Sequence, residues 1–312
     1  MDFVARLGKL RNVKDVPSHI IRICERVAAR LRTIDGIEAV ALGGSWSRGT
    51  ARADSDIDLG LAYDGDHPFS IAELAEAARE LDDRHLDGLV TPIGGWGTGV
   101  NGGGWLLIDG NHVDFLYRDL NRVRQLIERC VAGEPDAVYQ LGHPMGFQLQ
   151  IYAGETHFCR PIFDHEGKLT RLKSTVAEYP EKMRTALVRK HLFDSAFHLE
   201  LAGKPAARGD IMYVSICLAT ATGFMALVLY ALNRQFYLNE KSAFQQSAGF
   251  AIRPQRFHAR VAEILGAIGT DAAALTASIE AMRVAHRDLA LLCLNEMPQA
   301  ELEKALGALW RE

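Results

Sequence analysis

The chain is poor in the features that mark several large protein classes. Its five cysteines, Cys24, Cys130, Cys159, Cys217 and Cys293, are odd in number and widely spaced, and no two form a CxxC pair. That excludes a disulfide framework or a cysteine-built zinc site and reads as reduced thiols in the core of a cytoplasmic protein. Basic charge is not in excess. The 35 Lys and Arg are outnumbered by 39 Asp and Glu, leaving a formal charge of −4. A polynucleotide binder ordinarily needs a basic face, so nucleic acid is not the expected partner. Met1-Asp2-Phe3 is not a charged stretch leading into an apolar run, so no secretory leader is expected. There is no internal repeat and no low-complexity stretch. One long run, Ile211 to Leu232, carries no charge and could span a bilayer by length. It contains Ser215, Thr220, Thr222 and Gly223 and stands alone, so it reads as a helix buried in a bundle, with no membrane partner.

What the chain does have is enough length for two domains: 312 residues, 48% of them hydrophobic and 24% charged. The first third alternates helix and strand. Val16, Ile20, Ile23, Val27 and Leu31 recur at helical spacing. Ile37 to Leu42 reads as a buried strand ending at Gly43-Gly44, and Ile57 to Tyr63 as a second strand. Ser70-Ile71-Ala72-Glu73 is a capping box, with Phe69 and Leu74 placed as a hydrophobic staple. Leu89 to Ile93 reads as a third strand. Asp109-Gly110-Asn111 is a hairpin turn joining Trp105–Ile108 to His112–Tyr117. The glycine-rich stretch 94–104 reads as a flexible surface loop or a flap over a substrate. Beyond Asp119 the pattern becomes helical, from the stripe Val123, Leu126, Ile127, Cys130 to the tail from Pro298. The expected fold is a mixed-sheet α/β domain over residues 1–119, followed by an all-α helical bundle over residues 120–312.

Chemistry is concentrated in Leu42-Gly43-Gly44-Ser45-Trp46-Ser47-Arg48 and Ser55-Asp56-Ile57-Asp58. A strand ending in two glycines lets the backbone turn sharply and approach a ligand. Ser45 is suited to cap a short helix, and a helix N-terminus beside glycine amides suits phosphate. Asp56 and Asp58 are i and i+2 on a strand, so both carboxylates point to one side. Two such charges about 5 Å apart repel by about 3 kcal/mol at an effective dielectric of 20, which calls for a cation between them. Hard oxygen ligands suit Mg²⁺ shared with phosphate oxygens. Asp114, flanked by apolar residues in His112-Val113-Asp114-Phe115-Leu116, is a third carboxylate. It would complete a two-ion site or serve as general base. Arg48 either helps at the phosphates or caps a helix.

This pattern, Gly44-Ser45 followed by Ser55-Asp56-Ile57-Asp58 and a later strand carboxylate, resembles the DNA polymerase β nucleotidyltransferase superfamily. Within it the layout is most similar to bacterial aminoglycoside adenylyltransferases of the streptomycin/spectinomycin type and related nucleotidyltransferase-domain proteins. The resemblance implies transfer of a nucleoside monophosphate, AMP from ATP, to a hydroxyl of a small-molecule acceptor, aminoglycoside-like antibiotics included. It implies that Asp56 and Asp58 bind Mg²⁺, that Ser45 and Ser55 contact the β and γ phosphates, and that Asp114 takes the place of the third carboxylate. It also puts Lys241, in Tyr237-Leu238-Asn239-Glu240-Lys241, at the triphosphate, and makes residues 153–157 with Phe163-Asp164 a structural linker. A rival within the superfamily is the small antitoxin that modifies or binds a partner protein. The full bundle here favours a small acceptor.

Overall fold

A computed structural model of the chain describes residues 16–297. The helix expected from Pro298 lies outside the described residues. Two compact units are present. The first runs to Glu128 and takes in Val138–Gln140 and Tyr152–Glu178, and the second holds the remainder. This partition differs from a single boundary at 119/120, because a later strand, Arg160–Asp164, returns to the sheet of the first unit.

In the first unit, helix α1 (Ser18–Leu31) leads into strand β1 (Ile37–Leu42). A five-residue helix α2 (Gly44–Arg48) leads on to β2 (Ile57–Tyr63). Helix α3 (Ile71–Leu81) follows, then a single turn α4 (Gly97–Val100), β3 (Gly103–Ile108) and β4 (Asn111–Asp119). Helix α5 is Leu120–Ala132, α6 is Ile151–Phe158, β5 is Arg160–Asp164 and α7 is Lys168–Ser174. The sheet order is β3-β4-β2-β1-β5. β2 and β4 run parallel, and the other pairs are antiparallel.

Alternation along the strands sorts the residues into two faces. One face presents Val40, Leu42, Ile57, Leu59, Leu61, Val113, Phe115 and Tyr117, which bury against α1 and α3 through Ile20, Cys24, Val27, Leu74 and Ala78. The other presents small residues, Ala39, Ala41 and Ala62, which pack with Cys159 and Leu169 as a second, smaller cluster. Further along that same face stand Asp58, Asp114 and Trp105.

Several local expectations hold. The Ser70 hydroxyl accepts from the Glu73 N–H at 3.3 Å and starts α3. Asp109 (φ 50°) and Gly110 (φ 73°) make the hairpin turn with two left-handed residues. The Asp83 carboxylate holds their amides at 3.0 and 2.8 Å. The strand expected at Leu89–Ile93 does not form as such. Only Val90 bridges, to Gly104, and the segment leaves β3 after the Thr91 N–H bonds Gly103. Pro92 has no N–H to extend that ladder.

The second unit contains the long helices α8 (Glu181–Ala207), α9 (Ile211–Leu232) and α12 (Ala272–Glu296), with short α10 (Ala243–Ser247) and α11 (Phe257–Gly266). Asp210 caps α9 by accepting from the Tyr213 N–H at 3.1 Å. By length and composition α9 could cross a membrane. It packs against α8 and α12, is buried from Phe224 through Leu232, and exposes Met212 and Ile216 near its start.

Asp82 ties α3 to the sheet. Its solvent-inaccessible carboxylate accepts the Leu107 N–H at 2.7 Å and pairs with the Arg84 guanidinium at 2.8 Å. Burial opposes the charge, but Arg84 and the N–H groups of Leu107 and Arg84 outweigh it and lower the pKa from 3.8 to about 2. A carboxylate depressed on folding contributes stability above its unfolded value and loses it as pH falls through its folded one. Asp82 is therefore expected to contribute on the order of 2 kcal/mol at neutral pH. That contribution disappears between about pH 4 and pH 2. Denaturant melts across this range should show the loss in the wild type, and Asp82→Asn should be less stable at pH 7 with a flatter acid profile.

Candidate active site

β2 and β4 place two carboxylates side by side. Asp58 and Asp114 are partners in the parallel ladder, so they share one face on strands about 4.8 Å apart. Both are half-buried. The register continues to β3, where Trp105 is the antiparallel partner of Asp114. Toward β1, the Gly43 N–H donates to the Asp58 carbonyl at 2.8 Å. A row therefore crosses the sheet on one face: Trp105, Asp114, Asp58 and the Gly43-Gly44 turn.

Gly44 fits against Asp58 so closely that only glycine serves. Its φ is +56°, and an added Cβ would stand 2.6 Å from the Asp58 Cγ and overlap its Oδ2. The glycine pair thus lets α2 begin directly above the carboxylate. The cap of α2 is Gly43, not Ser45 as expected from the sequence. Gly43 takes the extended conformation that a cap requires, which moves Ser45 into the first turn, where it is half-buried. Amides in a helix's first turn have no intrahelical acceptor, which suits an anionic ligand.

The remaining expected residues are placed as follows. Asp56 precedes β2 and is exposed. Among the described residues no group of three or more His, Cys, Asp or Glu side chains is gathered closely enough to hold a metal ion. The ladder aligns Asp58 with Asp114, and Asp56 stands one residue ahead of β2, so its place beside the other two rests on the sequence pattern. The Ser55 hydroxyl accepts the Arg52 N–H at 2.9 Å, and its carbonyl accepts from the Trp46 indole at 3.3 Å. Ser55 therefore shapes the turn while keeping a hydroxyl proton to donate. Arg48, at the end of α2, lies over the Phe158 ring at 5.4 Å. Lys241 is exposed in the second unit, its N–H held by the Asn239 side chain at 3.0 Å. Its place at the triphosphate rests on the resemblance.

Sequence reasoning missed Arg118. It stands two and four residues beyond Leu116 and Asp114 on the same face of β4. Its guanidinium forms a bidentate pair with Glu155, both bonds at 2.8 Å, and donates to the carbonyls of Val100 at 3.0 Å and Tyr117 at 2.8 Å. Burial disfavours this charge, but Glu155, and more weakly Asp58, hold its pKa above the ordinary arginine value. Arg118 is thus held charged, with Glu155 as its counter-ion. Alternation from Asp114 was the signal that could have found it. Its partner Glu155, read from the sequence only as part of a linker, is what makes that burial tolerable.

The glycine-rich loop is anchored rather than loose. The Asn101 amide donates to the Tyr63 hydroxyl at 2.9 Å, and the Tyr152 hydroxyl donates to the Gly99 carbonyl at 2.5 Å. Gln140 Oε1 accepts from the Gly99 and Val100 amides at 3.1 and 3.2 Å. Arg118 holds the Val100 carbonyl.

Residues 24–103, which contain the glycine turn, Asp56 and Asp58, match the family model described as nucleotidyltransferase domain. Residues 156–241, which run from α6 through α9 to Lys241, match a second model, described as a domain of unknown function (DUF4037). No curated protein matches. Among solved structures, the chain is similar to a nucleotidyltransferase-like protein from Exiguobacterium sibiricum 255-15. The identity there is 10%, over 92% of this chain and 86% of that one, with a TM-score of 0.37. The nucleotidyltransferase match ends before Asp114, so Asp114 joins the site through its register with Asp58.

The tight fit at Gly44 makes a direct prediction. Gly44→Ala should displace the Asp58 carboxylate and weaken at least tenfold whatever nucleotide binding the wild type shows, with an unchanged far-UV circular dichroism spectrum. Calorimetric titration of the variant checks this, and wild-type affinity would show that Asp58 need not sit where it does.

Proposed function

We propose that this chain is a Mg²⁺-dependent nucleotidyltransferase moving AMP from ATP to a hydroxyl of a small-molecule acceptor. The observation that carries the reading is the pairing of Asp58 with Asp114 beside a glycine turn that opens a helix. The donor set fits the ion. Mg²⁺ is commonly held by one or two carboxylates together with substrate phosphates. Two hard carboxylates on neighbouring strands, with Asp56 two residues upstream, supply that set. When bound there, Mg²⁺ supplies charge neutralisation for the triphosphate.

The chain's own groups do the rest. Amides of Gly44 and Ser45, with the Ser45 and Ser55 hydroxyls, hold the β and γ phosphates, and Arg48 lies nearby on α2. Asp58 and Asp56 orient the α phosphate. Asp114 takes the proton of the acceptor hydroxyl as its oxygen bonds to the α phosphorus. The bond from that phosphorus to the bridging oxygen breaks on the opposite side, and pyrophosphate leaves with the electron pair. Positioning and preorganised charge carry such a transfer. Arg118, neutralised by Glu155, fixes the face on which this happens. A carboxylate-rich site also favours a cationic acceptor, as in the aminoglycoside enzymes that the sequence resembles. Five free, buried cysteines support a cytoplasmic setting.

Asp58→Asn keeps the shape and removes the charge. It should lower pyrophosphate release by at least a thousandfold while the thermal midpoint stays within a few degrees. Retained turnover in that variant would remove Asp58 from the reaction.

A further inference from the structure

The row of residues that crosses the open face of the sheet ends on an aromatic pair that no part of the reaction described above uses. Trp105 is 62% exposed, an unusual state for the largest apolar side chain. The indole of Trp96 stacks on it, with ring centroids 4.7 Å apart and planes 29° from parallel. Trp96 is seated over Gly103, where an added Cβ would come within 2.6 Å of its ring. The backbone on both sides of that stack is held: the Trp96 carbonyl accepts from Gln140 at 2.6 Å, and the Trp105 N–H donates to the Leu89 carbonyl at 3.1 Å. The platform is therefore built in advance, and its outer indole is left to solvent.

Its position gives it a role. Trp105 and Asp114 are directly opposed in an antiparallel pair, so their Cβ atoms lie about 5 Å apart on one face. Asp58 follows one strand further on, and the Gly43-Gly44 turn lies beyond it. With the triphosphate at the glycine turn and the α phosphate at the two carboxylates, the attacking hydroxyl approaches Asp114 from the Trp105 side. Any acceptor larger than its hydroxyl must then cover the indole.

We propose that Trp105, backed by Trp96, is the acceptor subsite, and that it takes a small molecule whose reacting hydroxyl is carried on or next to a ring, aromatic or saccharide, that can lay one face on the indole. The ring lies on the exposed indole and its hydroxyl meets Asp114. Stacking on a preformed aromatic pair orients the hydroxyl with little loss of side-chain freedom. A positive charge on the ring gains further from the indole face and from the nearby carboxylates. The proposal rests on the nucleotidyltransferase reading, and it differs from that reading in naming residues outside the metal and phosphate set.

The test uses the full-length protein saturated with Mg²⁺ and a non-hydrolysable NTP. Glucosamine, tyrosinamide and adenosine are the ring probes, and glycerol is the acyclic control. Two signals are followed: acrylamide quenching of indole fluorescence, and the exciton couplet that a stacked indole pair gives in circular dichroism. At least one ring probe should shield the fluorescence and perturb the couplet where glycerol does neither, and which probe does so assigns the ring as saccharide, phenol or nucleoside. Affinity for that probe should fall about tenfold in Trp105→Ala and less in Trp105→Phe. Ring probes that behave like glycerol would overturn the proposal. A tenfold loss of NTP affinity in Trp105→Ala would also overturn it, since the indole would then be holding the donor's base. Failure of the wild type to bind any NTP with Mg²⁺ is a separate result, which removes the nucleotidyltransferase reading and this subsite together.

Discussion

The parallel pairing of β2 with β4 is the constraint on which the site depends. It sets Asp58 directly beside Asp114, and two carboxylates at about 5 Å repel by about 3 kcal/mol at an effective dielectric of 20. A sheet holds such a pair only because its register is enforced elsewhere. The enforcement comes from the opposite face, where Ile57 and Leu59 alternate with Asp58, and Val113 and Phe115 with Asp114, all four fully buried. Slipping either strand by one residue would put a carboxylate in the core and an apolar side chain on the open face.

The surrounding chain is fitted to this pair. Gly44 leaves room for the Asp58 carboxylate, and Arg118 stands further along the same face with Glu155 as its counter-ion. Glu155 neutralises Arg118, and Arg118 in turn holds Val100 in the glycine-rich loop. Small residues on this face, Ala39, Ala41 and Ala62, let Cys159 and Leu169 pack closely. One end of the face is thereby closed by packing. The other, with Asp58, Asp114 and Trp105, keeps access to solvent, which is the arrangement that a group-transfer site requires.

Much of this was legible in the sequence where the signal is local. The capping residue Ser70, the Asp109-Gly110 turn and the glycine turn all act within a few residues, and each is found where the pattern put it. What was not legible depends on pairing between distant segments. Arg160–Asp164 joins β1 across more than a hundred residues, and no local periodicity reports such a partner. Leu89–Ile93 has the composition of a strand but meets β3 at one bridge. Ser45 has the chemistry of a cap, yet the left-handed Gly44 shifts the cap to Gly43. Trp105 is silent as a sequence feature and gains meaning only once its partner across the hairpin is known to be Asp114. Arg118 reads as an ordinary strand arginine until Glu155 is seen to pair with it.

The central claim is that Asp58 and Asp114 form a carboxylate pair built to take a divalent cation together with a nucleoside triphosphate. The most direct measurement is calorimetric titration of ATP and the other NTPs into the full-length protein, with and without Mg²⁺. The account predicts one-to-one binding that appears only with Mg²⁺, is strongest for ATP and is lost in Asp58→Ala. Binding of equal strength without any divalent cation, or in Asp58→Ala, would contradict it.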